Sequence, residues 1–252
     1  MLHRTEGIVL HSSPYGEADL IVTSVTRDFG LIRLFAKSPR KVGSRFGSSL
    51  EPLTHARIAF FGKEQSRLPR LTQADILRPF QSLRERISLF LQISEAVELT
   101  LRVLPERTGG GKAFGLLLTT LRQIEEGGPG ETYLLYYKIH LLRLAGFAPK
   151  LGRCGRCGQR AERFFLREGT VLCRRCEPEG LPHSPIEPRT ERIYSYFLRA
   201  RPSGIPRLKA PPETIKGLAE LINAHINYTV VERLNSRSFP QLVEREAGKD
   251  AL

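Results

Sequence analysis

The sequence predicts an α+β protein: a small closed β-barrel, then an α-helical region with a four-cysteine metal module set into it. Three observations carry this. Five β-rich runs separated by turn residues fall within the first 78 positions, the hydrophobic period changes to that of a helix near residue 80, and the only four cysteines stand as two CxxC pairs. The expected boundaries are a barrel domain over residues 1–79 and a helical domain over 80–252, with the metal module at about 150–180.

The strand candidates come first. Gly7–Leu10, Leu20–Val25, Leu31–Ala36, Ala56–Phe61 and Arg67–Ala74 are rich in Val, Ile, Leu and Phe. Ser13-Pro14-Tyr15-Gly16 and Arg27-Asp28-Phe29-Gly30 punctuate them with turn chemistry. A lone open sheet of this size would leave bare edges, so closure into a barrel is expected. Beyond residue 80, Leu83, Ile87, Phe90, Leu91, Val97, Leu101 and Leu104 recur at helical spacing and Pro105 ends the run. Phe114, Leu117, Leu118 and Leu121 mark a second helix. Leu134, Tyr137, Leu141, Leu144 and Ala145 mark a third, with Gly146 as its C-terminal cap. After the cysteines, Pro182, Pro185 and Pro188 lead into helical patterns around Ile193–Phe197 and Ile215–Ile226.

Cys154-x2-Cys157 and Cys173-x2-Cys176, fifteen residues apart, have the spacing of one tetrahedral zinc site. Four thiolates leave no vacancy for a substrate, so the expected cofactor is a single structural Zn²⁺. Gly155 and Gly158 stand where the chain must turn sharply at a ligand, which glycine does at positive φ without steric cost. Phe164–Leu166 and Val171–Leu172 read as two short strands joined at Glu168-Gly169.

The charge balance narrows the partners. Thirty-nine Lys and Arg against 26 Asp and Glu give a formal net charge of +13, which favours polyanions. No apolar h-region follows Met1 and no apolar run approaches the length of a membrane span, so a soluble, cytoplasmic, nucleoid-associated protein is expected.

Two cationic clusters stand out. From Phe29 to Leu50 there are five cations, Arg33, Lys37, Arg40, Lys41 and Arg45, and no acid. Lys63, Arg67 and Arg70 extend the same groove along a neighbouring strand. On a small barrel, cations that track phosphates and aromatic faces that stack on bases hold single-stranded nucleic acid. Phe46 lies in this loop and either stacks on a base or turns into the core. The second cluster surrounds the cysteines: Lys150, Arg153, Arg156, Arg160, Arg163, Arg167, Arg174 and Arg175, faced by Glu162 and Glu168. Some of these cations offset the formal −2 of a zinc tetrathiolate; the surplus points to a second polyanion contact.

Catalytic patterns are missing from the sequence. The six histidines are scattered, and Gly109-Gly110-Gly111-Lys112-Ala113 lacks the spacing and the Ser or Thr of a phosphate loop, so it reads as a linker. The expectation is a protein that is not an enzyme. An RNA-binding protein or a scaffold with a structural zinc ribbon remains the alternative to a DNA-binding one.

Several strings in order resemble the RecO family of bacterial recombination mediators. They are Glu6–Leu10 and Glu17-Ala18-Asp19, then Ala36-Lys37, Ser44–Gly47 and Leu50-Glu51-Pro52, then Leu141-Leu142 through Gly146-Phe147-Ala148-Pro149 to Cys154, and finally Tyr228 with Leu234–Phe239. The likeness runs from about residue 3 to 240. It implies an N-terminal OB-fold, a helical C-terminal domain and an embedded zinc module. It also implies binding of single- and double-stranded DNA, annealing of complementary strands, and action with RecR and the C-terminal tail of the single-stranded DNA-binding protein SSB to load RecA. Taken with the charge clusters above, Arg33, Lys37, Arg40, Lys41, Arg45, Phe46, Lys63, Arg67 and Arg70 are the expected first set of DNA contacts. Arg153, Arg156, Arg160, Arg163, Arg174 and Arg175 are the second.

Overall fold

The computed structural model describes residues 1–39, 44, 46–62, 68–107 and 109–230. Five strands form a closed barrel in the order β1-β2-β3-β5-β4: β1 Leu2–Tyr15, β2 Asp19–Thr26, β3 Gly30–Ala36, β4 His55–Phe61 and β5 Arg70–Arg78. Closure depends on β1, which serves two neighbours. Its first half, Leu2–Ile8, pairs antiparallel with β4, and Gly7–Tyr15 pairs antiparallel with β2. A bulge between Val9 and His11 lets so long a strand bend. A short parallel pairing, Phe35↔Arg70 and Ala36↔Leu71, joins β3 to β5 and removes the last edge. This is an OB-fold, as expected from the sequence.

Period-two alternation builds the barrel core. Val9, Val22, Ile32, Leu34, Ala36, Ala56, Ile58, Phe60 and Leu71 point inward. A 3₁₀ turn over Gly47–Leu50 supplies Phe46 and Leu50 to the same core.

The period change at residue 80 marks real helices: α1 Gln81–Glu85, α2 Ile87–Val103, α3 Gly111–Glu125 and α4 Gly130–Leu144. The single run expected from Leu83 to Leu104 is broken at Arg86, whose backbone is extended. The packing units cut differently from the change of period. Met1–Phe90 and Leu104–Gly127 form one unit, while Leu91–Val103 and the chain from Gly128 form the other. Thus α3 belongs with the barrel and touches β1, β2 and β3. Gly110 shows why: a Cβ there would lie 2.2 Å from the Gly30 Cα and 2.8 Å from the Thr26 carbonyl. The triple glycine read as a linker is the seat of this close contact.

In the second unit α4 is buried nearly all round, and α5 Pro188–Arg199 and α6 Pro212–Thr229 pack against it. Both helices start with proline in the first turn, where its missing N–H has no helical partner to lose. Gly146 ends α4 at φ +81°, the cap expected from the sequence. Several buried polar groups inside this unit are paired: the Thr100 and Tyr137 hydroxyls lie 2.6 Å apart, and buried Lys138 reaches Asn223 at 3.0 Å and Glu95 at 3.3 Å. Leu234–Phe239, part of the family likeness, lie outside the described residues. Among the described residues no helix is long and apolar enough to cross a membrane.

Candidate metal centre and nucleic-acid interface

The cysteine module is a three-stranded sheet of β6 Arg163–Phe165, β7 Thr170–Leu172 and β8 Ser184–Pro185, with a CxxC turn before β6 and another after β7. Phe164, Phe165, Val171, Leu172 and Ile186 give it a small core of its own. The sulfurs of Cys154, Cys157, Cys173 and Cys176 all lie within 4.8 Å of one another, and Cys157 Sγ is 3.5 Å from Cys173 Sγ. A Zn–S bond of about 2.3 Å in tetrahedral geometry places sulfurs roughly 3.8 Å apart, so the four fit one ion. The two glycines serve the site for different reasons. Gly158 takes φ +76° and its N–H donates to the Cys154 carbonyl, as the turn argument requires. Gly155 has ordinary φ and is needed for space: a Cβ there would meet Thr170 Oγ1 at 2.6 Å.

The thiols are unequal. Hydrogen bonding to the backbone, at Cys173 above all, brings Cys154 down to about 6, whereas the nearby Cys157 sulfur pushes Cys176 up to about 12. One thiolate forms readily and the next is opposed by its neighbours. Such a donor set accepts all its charge only when a cation sits among the sulfurs.

The arginines around the cysteines divide into two groups. Arg153 donates to the Gly158 carbonyl (3.2 Å), and Arg156 bridges the Cys176 carbonyl (3.1 Å) and Glu168 (3.3 Å). Arg160 pairs with Glu162 at 3.1 Å, and Arg163 grips both oxygens of Glu177 at 2.8 and 2.6 Å. Glu177, one residue beyond the last cysteine, had no part in the sequence reading of this cluster. Lys150, Arg167, Arg174 and Arg175 are exposed and have no ion-pair partner among the described residues.

On the barrel, alternation puts Arg33 and Phe35 on the outer face of β3, and exposed Lys37 follows two residues on. Phe35 is the register partner of Arg70 on β5, and Arg70 is the partner of Phe61 on β4. Phe61 is 58% exposed, and Tyr15, at the end of β1, is 53% exposed with its ring 5.8 Å from that of Phe35. The outer surface therefore carries a row Tyr15, Phe35, Arg70, Phe61, with Arg33 and Lys37 beside it. The three cations have no ion-pair partner among the described residues. Asp19, which could have opposed them, accepts the Ser38 N–H at 2.6 Å.

Phe46 is not in this row. Its ring is 3% exposed and belongs to the barrel core, so the core reading of this residue holds and base stacking at position 46 is set aside. Burying a phenylalanine is worth about 1.5–3 kcal/mol, which a loop next to an open barrel end readily gains. The sequence reading missed Tyr15, Phe35 and Phe61. A signal was there in Arg33-x-Phe35-x-Lys37, a period-two string with cations and an aromatic on one face. Arg40, Lys41, Arg45, Lys63 and Arg67 lie outside the described residues.

Known proteins match along the chain. The profile described as Recombination protein O N terminal matches residues 1–80, and Recombination protein O C terminal matches residues 84–238. The chain is similar to the DNA repair protein RecO of Thermodesulfovibrio yellowstonii, with 46% identity over 177 residues, 70% of each chain. It is 37% identical to the DNA repair protein RecO of Rubrobacter xylanophilus over 195 residues, 75% of this chain and 77% of that one. With the DNA repair protein RecO of Bacillus pumilus it shares 28% identity over 249 residues, 97% and 95% of the two chains.

Proposed function

Because the chain belongs to the RecO family of DNA repair and recombination proteins, we propose that it is a DNA-binding recombination mediator without catalytic chemistry of its own. It binds single- and double-stranded DNA, anneals complementary strands, and acts with RecR on SSB-coated DNA, engaging the SSB C-terminal tail, to help load RecA. The observation that carries this reading is the outer row of the barrel. Exposed and half-exposed aromatics beside cations with no ion-pair partner among the described residues suit a single strand, whose every base has a π-face and whose every linkage has a charge. Strand faces and adjoining loops of this kind are where OB-folds hold oligonucleotides.

In this reading Arg33, Lys37 and Arg70 contact phosphates, together with Arg40, Lys41, Arg45, Lys63 and Arg67. Tyr15, Phe35 and Phe61 stack on bases. Arg174 and Arg175, with Arg153, hold a second strand; Arg156, Arg160 and Arg163 chiefly brace the metal module through their acidic partners. Two cationic surfaces neutralise the repulsion between complementary strands, which requires no nucleotide hydrolysis. One Zn²⁺ bound by Cys154, Cys157, Cys173 and Cys176 holds the module that carries the second surface.

The test is annealing of two complementary oligonucleotides, each coated with SSB, with no nucleotide present. Addition of the protein should accelerate annealing, and the effect should fade as salt rises. No acceleration by folded, zinc-loaded protein would overturn the mediator reading. RNA competing as well as DNA would favour an RNA-binding role.

A further inference from the structure

Beside the outer row, the mouth of the barrel holds a cavity of about 420 Å³, lined by His3, Asp28, Phe29, Ile32, Phe60, Pro69 and Arg107. We infer that it is a pocket for a single nucleobase, turned out of a bound strand and inserted into the barrel end. The inference rests on the DNA-binding reading above and adds a second kind of base contact to it.

The walls are aromatic and already held in place. His3 and Phe60 are register partners on β1 and β4, both inward-facing, and their rings stack at 5.1 Å with an interplanar angle of 26°. Phe29, from the β2–β3 turn, stands edge-on to both, at 5.3 Å and 5.2 Å and 77° in each case. The barrel core below is mostly aliphatic with Phe46 among it, whereas here three mutually packed rings form part of the wall of the cavity. His3 and Phe29 keep part of their surface exposed. The volume falls within the ~300–1,000 Å³ typical of small-ligand sites.

Two polar groups supply what a base edge needs. Asp28 accepts the Thr5 hydroxyl at 2.6 Å on Oδ2, which fixes the carboxylate and leaves Oδ1 without a partner among the described residues. The backbone N–H of Arg107 donates to the Leu31 carbonyl at 2.9 Å, with the residue in the left-handed region at φ +59°, which fixes where its side chain leaves the backbone. A carboxylate accepts from the amino and ring N–H groups of bases, and a guanidinium donates to their carbonyl and ring-nitrogen acceptors. The pocket is also contiguous with the outer row. Phe60 faces in and Phe61 faces out on one strand, while Pro69 lines the pocket and Arg70 follows it into the row. A strand stacked outside needs only to cross the rim of β4 and β5 to place one base inside.

Photo-cross-linking with oligo-dT carrying one 5-iododeoxyuridine, with adducts mapped by mass spectrometry, separates the two surfaces. The expected result is adducts at Phe29 or His3 besides those at Tyr15, Phe35 and Phe61. Phe29→Ala should abolish the mouth adduct and weaken oligo-dT binding about fivefold or more, with the salt slope unchanged because no phosphate contact is lost. Asp28→Ala, at an exposed position, gives the same readout if the Phe29 variant folds poorly. Adducts confined to Tyr15, Phe35 and Phe61, with Asp28→Ala binding as the parent does, would overturn the pocket and leave the DNA-binding reading standing. Absence of DNA binding by the parent protein would overturn both.

Discussion

Gly110 has no room for a side chain, since its neighbours are the backbone of Gly30 and Thr26 and backbone cannot swing aside. The hydrogen-bonded β2–β3 turn and the start of α3 would have to separate to admit one methyl group. Gly110→Ala is therefore expected to destabilise the barrel unit by about 3 kcal/mol, read as a lower urea midpoint at unchanged slope. Gly109→Ala, which meets nothing within 4 Å, should leave the midpoint nearly where it was. His225 is a second residue whose role lies in its contacts. Its ring is buried, Nε2–H donates to the Phe147 carbonyl at 2.7 Å, and Nδ1 has no partner among the described residues. Burial lowers its pKa, so the imidazole is held neutral, and its ring edge packs under Gly169 at the tip of the zinc hairpin. The neutral ring thus props the turn between β6 and β7.

At the scale of elements, the cysteine module has a core of few side chains, and in the proposed reading a segment that small depends on the Zn²⁺ held by its four cysteines. Chelation of Zn²⁺, or Cys157→Ser, should unfold the region around residues 150–186 and raise its amide exchange. The barrel amides should keep their protection. The pH dependence has a definite sign. Cys154, depressed to about 6, favours the folded module above the ordinary thiol value of 9.0, and that contribution is lost as pH falls through about 6. Cys176, raised to about 12 without the ion, must release its proton to bind it, so zinc retention falls on acidification. The barrel shows a different economy of means. One strand, β3, sends Leu34 to the core and Arg33 and Phe35 to the surface. The same alternation builds the fold and the outer row proposed to bind DNA.

For the whole molecule, the net charge of +13 is distributed over surfaces with different duties. Near the cysteines Arg156, Arg160 and Arg163 are paired with Glu168, Glu162 and Glu177, and solvent-accessible pairs of this kind add little stability, about 0–1 kcal/mol each. In the proposed reading the cations without acidic partners among the described residues carry the binding. Neutralising Arg33, Lys37 and Arg70 together should reduce the slope of log affinity against log salt for a single strand by about 2, at about 0.7 per phosphate. Neutralising Arg174 and Arg175 should leave that slope nearly intact and slow annealing instead. An unchanged slope in the triple variant would remove the barrel face from the binding surface.

The architecture was legible in the residues because it follows from local rules. Turn residues between β-rich runs marked a barrel, the change of hydrophobic period at residue 80 marked helices, and cysteine spacing marked one tetrahedral site whose sulfurs do converge. Net charge and its clusters likewise belong to composition and can be counted without a fold. Three things waited for the tertiary structure. Phe46 and Phe35 are both aromatics among cations, and only barrel closure sends one inward and the other outward. Gly110 and Gly155 look like turn glycines until Gly30 and Thr170 are seen pressed against them. Arg70 joins Phe35 and Phe61 because β5 pairs with β3 on one side and β4 on the other, across 35 residues of chain in one case and 9 in the other. Such partnerships are set by strand register and close packing, and proximity along the sequence does not reveal which residues they bring together.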